Sequence, residues 1–193
     1  MKEISKRIVF SALIVCLLMC SVISCRKREE INEESSEAIE TSAETDVLLK
    51  KYQENYPEPT IVVESTDAKA GDEIEISVYV VHNPGILGMS ATISYDESML
   101  TLLSAENGDI VENILDLTSS ADLQNGSRFL WDGVEINENQ IQDGKILNLT
   151  FRVEKTVKNG KYPIALILDE SGIFDNDLNQ IQLKTDLGYV TVK

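Results

Sequence analysis

Two runs of this chain alternate so regularly that they leave little choice of backbone geometry. Ile74, Ile76, Val78 and Val80 alternate with Glu73, Glu75, Ser77 and Tyr79, and Leu147, Leu149, Phe151 and Val153 alternate with Asn148, Thr150 and Arg152. A period of two sends successive side chains to opposite faces of a strand, so each run has one apolar and one polar face, as a half-exposed antiparallel sheet requires. Further strands are predicted at Thr60 to Glu64, Leu87 to Tyr95, Leu100 to Ser104, Arg128 to Trp131, Pro163 to Leu168, Gln180 to Lys184 and Gly188 to Val192. Turn formers such as Ala70-Gly71-Asp72, Asn83-Pro84-Gly85, Asn107-Gly108-Asp109, Asp143-Gly144 and Asn159-Gly160 separate them. No window between Thr60 and Lys193 sustains a helical period. Nine short strands at this spacing predict an all-β fold, a two-sheet β-sandwich of jelly-roll type. The 134 residues from Thr60 to Lys193 suffice to withdraw about two-thirds of the unfolded surface from water, so a core forms without disulfides.

The residues before Thr60 divide in two, giving segments 1–24, 25–59 and 60–193. Lys2, Lys6 and Arg7 precede a run from Ile8 to Ser24 that carries no charge, which is the profile of a secretory signal. Cys16 and Cys20 lie inside that run, so Cys25 alone would survive its removal and no internal disulfide is then available. Val22-Ile23-Ser24 before Cys25 resembles the bacterial lipobox, with Val where Leu is commoner. The resemblance implies that the Cys25 thiol is diacylglycerated and becomes the new amino terminus, a membrane contact through lipid on the extracellular face. The alternative is an uncleaved anchor, although the 17 residues from Ile8 to Ser24 are at the short limit for a hydrocarbon core of about 30 Å. Either way the rest of the chain lies outside the cytoplasm. Arg26, Lys27 and Arg28 would then rest against head groups. Eight carboxylates between Glu29 and Asp46, with no Lys or Arg among them, describe a self-repelling, disordered acidic linker. Val47 to Tyr52 suits one or two helical turns, which Pro57 and Pro59 would end.

Charge and residue inventory then exclude several functions. The net charge of −16 opposes nucleic-acid binding, which needs basic patches against phosphate. His82 is the only histidine, so neither a Ser-His-Asp array nor a site with several imidazoles can be assembled. Asp132, Glu135, Glu138 and Asp143 hint at a glycosidase pair, yet so acidic a chain collects carboxylates in any loop, and the domain reads as non-catalytic and without a cofactor. Asp175, Asp177 and Asn179 match the first three ligands of a calcium loop, with Asp186 at the twelfth place. Gln180 stands where that loop needs Gly and the bidentate Glu is missing, so an Asx-stabilised turn is the better account and no metal site is expected.

Strand phase locates a candidate surface. Between Leu87 and Tyr95 the pleat sends Met89, Ala91, Ile93 and Tyr95 to the core and Gly88, Ser90, Thr92 and Ser94 to the open side. Phe129 and Trp131 share the core side of their strand, which leaves Arg128, Leu130 and Asp132 outward. Leu130 is then a leucine facing water within a polar sheet face, the position of an interface anchor. The phase of Trp131 removes it as a sugar platform, and apart from Tyr79 few rings fall outward.

Taken together, the motifs resemble those of the cohesin domains of anaerobic bacteria. Lys69-Ala70-Gly71-Asp72 is similar to the opening turn of that family. Asn83 to Asp96 is similar to its central strand ending in Tyr-Asp. Leu100-Thr101-Leu102, Asn107 to Ile110, Phe129-Leu130-Trp131, Asp143-Gly144 and Gly172 to Leu178 follow in the family's order across residues 60–193. The resemblance implies a nine-stranded jelly-roll whose exposed sheet face binds a dockerin, a calcium-loaded helical module of a secreted partner, and so a cell-surface anchor for polysaccharide-degrading enzymes. The class alternative is a sandwich that binds polysaccharide directly. Many cohesins carry Asn and Asp where Gly88 and Ser90 stand, and an acidic residue at the place of Gly133, which implies a different specificity here.

Overall fold

The computed structural model describes residues 45–111, 115–116, 123–132 and 141–193. The leader, Cys25, most of the acidic linker, Gly133, Glu135 and Glu138 lie outside the described residues. A helix, α1, spans residues 45–55. Twelve strands follow among the described residues: β1 (Thr60–Val63), β2 (Thr66–Ala68), β3 (Glu73–Val81), β4 (Ile86–Ser94), β5 (Leu100–Asn107), β6 (Leu115–Asp116), β7 (Arg128–Asp132), β8 (Gly144–Val153), β9 (Gly160–Leu168), β10 (Phe174–Asp175), β11 (Lys184–Asp186) and β12 (Gly188–Val192). No helix among them is long and apolar enough to cross a membrane.

Two sheets face each other. One has the order β11-β1-β3-β8-β5, and the other β2-β12-β9-β4-β7-β6 with β10 paired to β4. The alternating runs supply the core between them: Ile76, Val78 and Val80 from β3 and Leu147, Leu149, Phe151 and Val153 from β8 meet Met89, Ala91 and Ile93 from β4, Phe129 and Trp131 from β7, and Ile164 and Leu166 from β9. The Tyr95 ring stands edge-on to Phe151 at 5.1 Å, a favoured aromatic geometry. The mostly-β sandwich is therefore as expected, while the strand count rises from nine to twelve. The three additional strands, β2, β6 and β10, have two or three residues each, too few to show a period. The expected strand at Gln180 to Lys184 is displaced to Lys184–Asp186. The Ile181 N–H binds the Ile173 carbonyl beside β10, whereas the Lys184 N–H binds the Pro59 carbonyl next to β1, so this segment passes from one sheet to the other and no single ladder claims it.

The outward face of β1 and β3 is not open to water. Val62, Tyr79 and Val81 point away from the sandwich core yet are almost wholly buried, Tyr79 at 2 % exposure. The end of α1 closes this face. The Tyr52 ring packs 5.5 Å from that of Tyr79 and 6.3 Å from that of Tyr56. The Tyr56 hydroxyl donates to Asp186 Oδ2, Gln53 Nε2 donates to Asp143 Oδ2 at 2.7 Å, and the Gln53 carbonyl lies 3.2 Å from His82 Nε2. Leu49–Lys193 is accordingly one compact unit. The last eleven residues of the segment read as linker, 49–59, belong to it, and the helix exceeds the one or two turns expected.

Burial raises the pKa of Tyr52 above its ordinary value, and burial together with the Asp186 hydrogen bond pushes Tyr56 up to about 12 from 10.0. The folded state therefore holds protons that the unfolded chain releases first. The associated stability is complete below pH 10 and falls as pH rises toward 12. Spectrophotometric titration is expected to show late-ionising tyrosines that Tyr56→Phe reduces in number, with the helix signal in circular dichroism lost over the same interval.

Candidate partner-binding face

The outward face of the second sheet is built where β4 lies between β9 and β7. Register places Thr92 between Ile167 and Arg128, Ser90 opposite Leu130, Ser94 opposite Ala165, and Gly88 between Phe174 and Asp132. The seven residues selected by phase, Gly88, Ser90, Thr92, Ser94, Arg128, Leu130 and Asp132, thus occupy adjacent positions on two paired strands. The core assignment of their neighbours also stands, with Met89, Ala91, Ile93, Tyr95, Phe129 and Trp131 buried.

Two expectations change in detail. Ser90 faces outward but is only 6 % exposed, because Arg128 folds over it and its Nε–H donates to Ser90 Oγ at 2.6 Å. Leu130, the cross-strand neighbour of Ser90, is half-buried rather than fully in water. Arg128 Nη2 lies 3.8 Å from Asp169 Oδ2, and the Asp169 N–H donates to the Ser90 carbonyl at 2.9 Å. Asp169 Oδ1 accepts from the hydroxyl of Ser171 at 2.7 Å and from its N–H at 3.2 Å. The Ser171 bonds, followed by the Arg128 charge, hold the Asp169 carboxyl below the usual carboxylate range. The guanidinium is thus fixed on both sides and keeps donors free for an incoming acceptor.

Ile167 is the residue that strand phase passes over. It is 56 % exposed, pairs with Thr92, and with Ser90, Thr92, Arg128, Leu168 and Asp169 lines a shallow depression on this face. The signal was present, since Ile164 and Leu166 face the core and oblige Ile167 to face out. It was hidden because Pro163 to Leu168 is apolar at every position. An exposed isoleucine on β9 and a half-exposed leucine on β7, separated by Ser90 and Thr92 of β4 and accompanied by one fixed cation, give this face the mixed apolar and polar composition of a binding patch.

Elsewhere the chemistry is structural. Both oxygens of Asp143 are engaged, by Gln53 Nε2 and by the Asn83 N–H at 2.8 Å. Asp175 Oδ1 accepts from the N–H groups of Asp177 and Asn179, and Oδ2 from Asn179 Nδ2, the bonding of an Asx turn. Asp186, placed twelfth in the calcium-loop pattern, sits on β11 and binds Tyr56 instead. No group of three or more His, Cys, Asp or Glu among the described residues is arranged to hold a metal ion. Lys161 Nζ lies over the Tyr189 ring on β12 at 3.7 Å, so one face of that ring is already taken.

A family model described as the cohesin domain matches residues 59–192. The chain belongs to the cohesin family. Its sandwich is similar to solved cohesins, among them the OlpC cohesin of a type I cohesin–dockerin complex from Clostridium thermocellum, with 25% identity, TM-score 0.53 and coverage of 69% of this chain and 92% of that one. The seventh ScaB type I cohesin from Pseudobacteroides cellulosolvens gives 21% identity, TM-score 0.57 and coverage of 69% and 91%. A non-cellulosomal cohesin from the archaeon Archaeoglobus fulgidus gives 20%, 0.56, and coverage of 70% and 91%. In sequence, the cohesin is 26% identical over 137 residues to cellulose-binding protein A of Clostridium cellulovorans, covering 69% of this chain and 7% of that protein. The chain thus spans a small fraction of that relative's length.

Proposed function

We propose that this cohesin is a non-catalytic docking module that binds a calcium-loaded dockerin through the outward face of β9, β4 and β7, and that lipid on Cys25 holds it at the extracellular face of the cell membrane. The observation that carries the reading is the conjunction of a family match across the sandwich with an exposed Ile167 and half-exposed Leu130 on one sheet face. The similar Clostridium thermocellum cohesin was solved in a dockerin complex, which supports the partner class. Direct polysaccharide binding has less support, because Trp131 is buried and Lys161 takes one face of the Tyr189 ring. A pull-down from the secreted proteins of the same organism tests the proposal. Dockerin-bearing proteins retained with calcium and released by chelator are the expected result, and retardation in polysaccharide gels without any such partner would favour the alternative. Palmitate labelling tests the anchor separately, and a Cys25→Ala variant that still labels would refute lipidation there.

A further inference from the structure

From the placement of α1 we infer that residues 49–58 form a reclosable strap, which peels from the back of the sandwich under load on the N-terminal side and lengthens the tether before the sandwich itself yields. The load follows from the anchoring proposed above; the strap is a property of the fold alone. Three observations carry it. First, the strap lies on the outward face of β1 and β3, whereas Ile167 and Leu130 lie on the outward face of the other sheet, so a pull through the strap acts from the side away from the partner face. Second, it is held by side-chain groups: the Tyr52 ring on Tyr79, the Tyr56 hydroxyl on Asp186, Gln53 on Asp143, and His82 on the Gln53 carbonyl. Among the described residues, the first backbone bond that ties this segment to a strand is the Lys184 N–H to the Pro59 carbonyl, where peeling meets a ladder and stops. Third, so short a helix is marginal without its packing partner, and Pro57 and Pro59 prevent its continuation into β1.

The same features make the strap return. Peeling removes the Tyr52 ring from Tyr79, which is nearly inaccessible when the strap is docked, and reburial of the two rings restores it when the load falls. Converting residues 49–58 from docked helix and turn to extended chain adds roughly 15 Å. Elements held by few buried contacts open at the low end of the stability range.

The test uses residues 25–193, held by the Cys25 thiol and the C-terminus in a single-molecule extension experiment. A small reversible step of roughly 15 Å is expected below the force of the main rupture. Tyr52→Ala should abolish that step and leave the main rupture in place, and Tyr56→Phe, which deletes only the hydroxyl, should lower the force of the step. In native-state hydrogen exchange the amides of 49–55 should exchange at least about tenfold faster than those of β1 and β3. A main rupture that comes first and alone in the wild type, or exchange of 49–55 at the same rate as β3, overturns the strap. Neither readout depends on whether Cys25 carries lipid, which palmitate labelling decides.

Discussion

Trp131→Ala is expected to lose about 3 to 5 kcal/mol of folding stability, a fall in melting temperature on the order of 10 °C for a domain of this size. The side chain is 1 % exposed and belongs to the largest fully buried group, enclosed between sheets whose strands are held in ladders on both sides of β7, so the surroundings cannot readily collapse into the space left. Trp131→Phe sharpens the test. Trp131 Nε1 is buried with no hydrogen-bond partner among the described residues, and an unmet buried donor costs about 1 to 3 kcal/mol. Phenylalanine removes that donor while keeping most of the ring volume, so its loss should be about half that of alanine or less. Thermal and denaturant unfolding of both variants measure the difference. Equal losses would mean that the indole N–H is satisfied.

Truncation on the outward face should give the opposite pattern. Ile167→Ala and Leu130→Ala are each expected to weaken dockerin binding by about 2 kcal/mol, roughly thirtyfold in Kd, with melting temperatures close to that of the wild type because neither side chain enters the core. Thr92→Arg should remove binding altogether, since it sets a second cation beside Arg128 and leaves it unpaired when the interface closes. Ser90→Arg is a poorer probe than strand phase suggests, because Ser90 lies beneath Arg128 and accepts its hydrogen bond; replacing it disturbs the sheet face as well as the interface. Titration calorimetry beside thermal melts separates the two effects. Wild-type affinity in Ile167→Ala, or a large fall in its melting temperature, would mean that the face is wrongly assigned.

The legible parts of this fold are those in which one face of a strand is apolar and the other is not. In β3, β4, β7 and β8 the period of two fixed both the strand and its inner face, and the pairing of β4 with β7 then brought Ser90 opposite Leu130 and Thr92 opposite Arg128. Where both faces are apolar the period disappears. In β9 this concealed Ile167, the most exposed hydrophobic residue on the candidate face. Where an outward face is covered by another part of the chain, local pattern misleads. Tyr79 follows an outward phase in its strand, and nothing local to β3 reveals that the Tyr52 ring packs against it. At Gln180 to Lys184 the alternation is real, with Ile181 and Leu183 half-buried, but alternation alone cannot supply the ladder partner that makes a strand.

The central claim is that a calcium-loaded dockerin sits on the outward face of β9, β4 and β7. Methyl NMR of the cohesin, titrated with a dockerin retained in the calcium-dependent pull-down, tests it most directly. The account predicts that the Ile167 and Leu130 methyl signals shift on addition and revert with chelator, while those of Ile76 and Leu149 in the core of the opposite sheet stay in place. Shifts confined to Leu103 or Leu187, which are exposed elsewhere on the sandwich, or shifts that persist after calcium is removed, would contradict it.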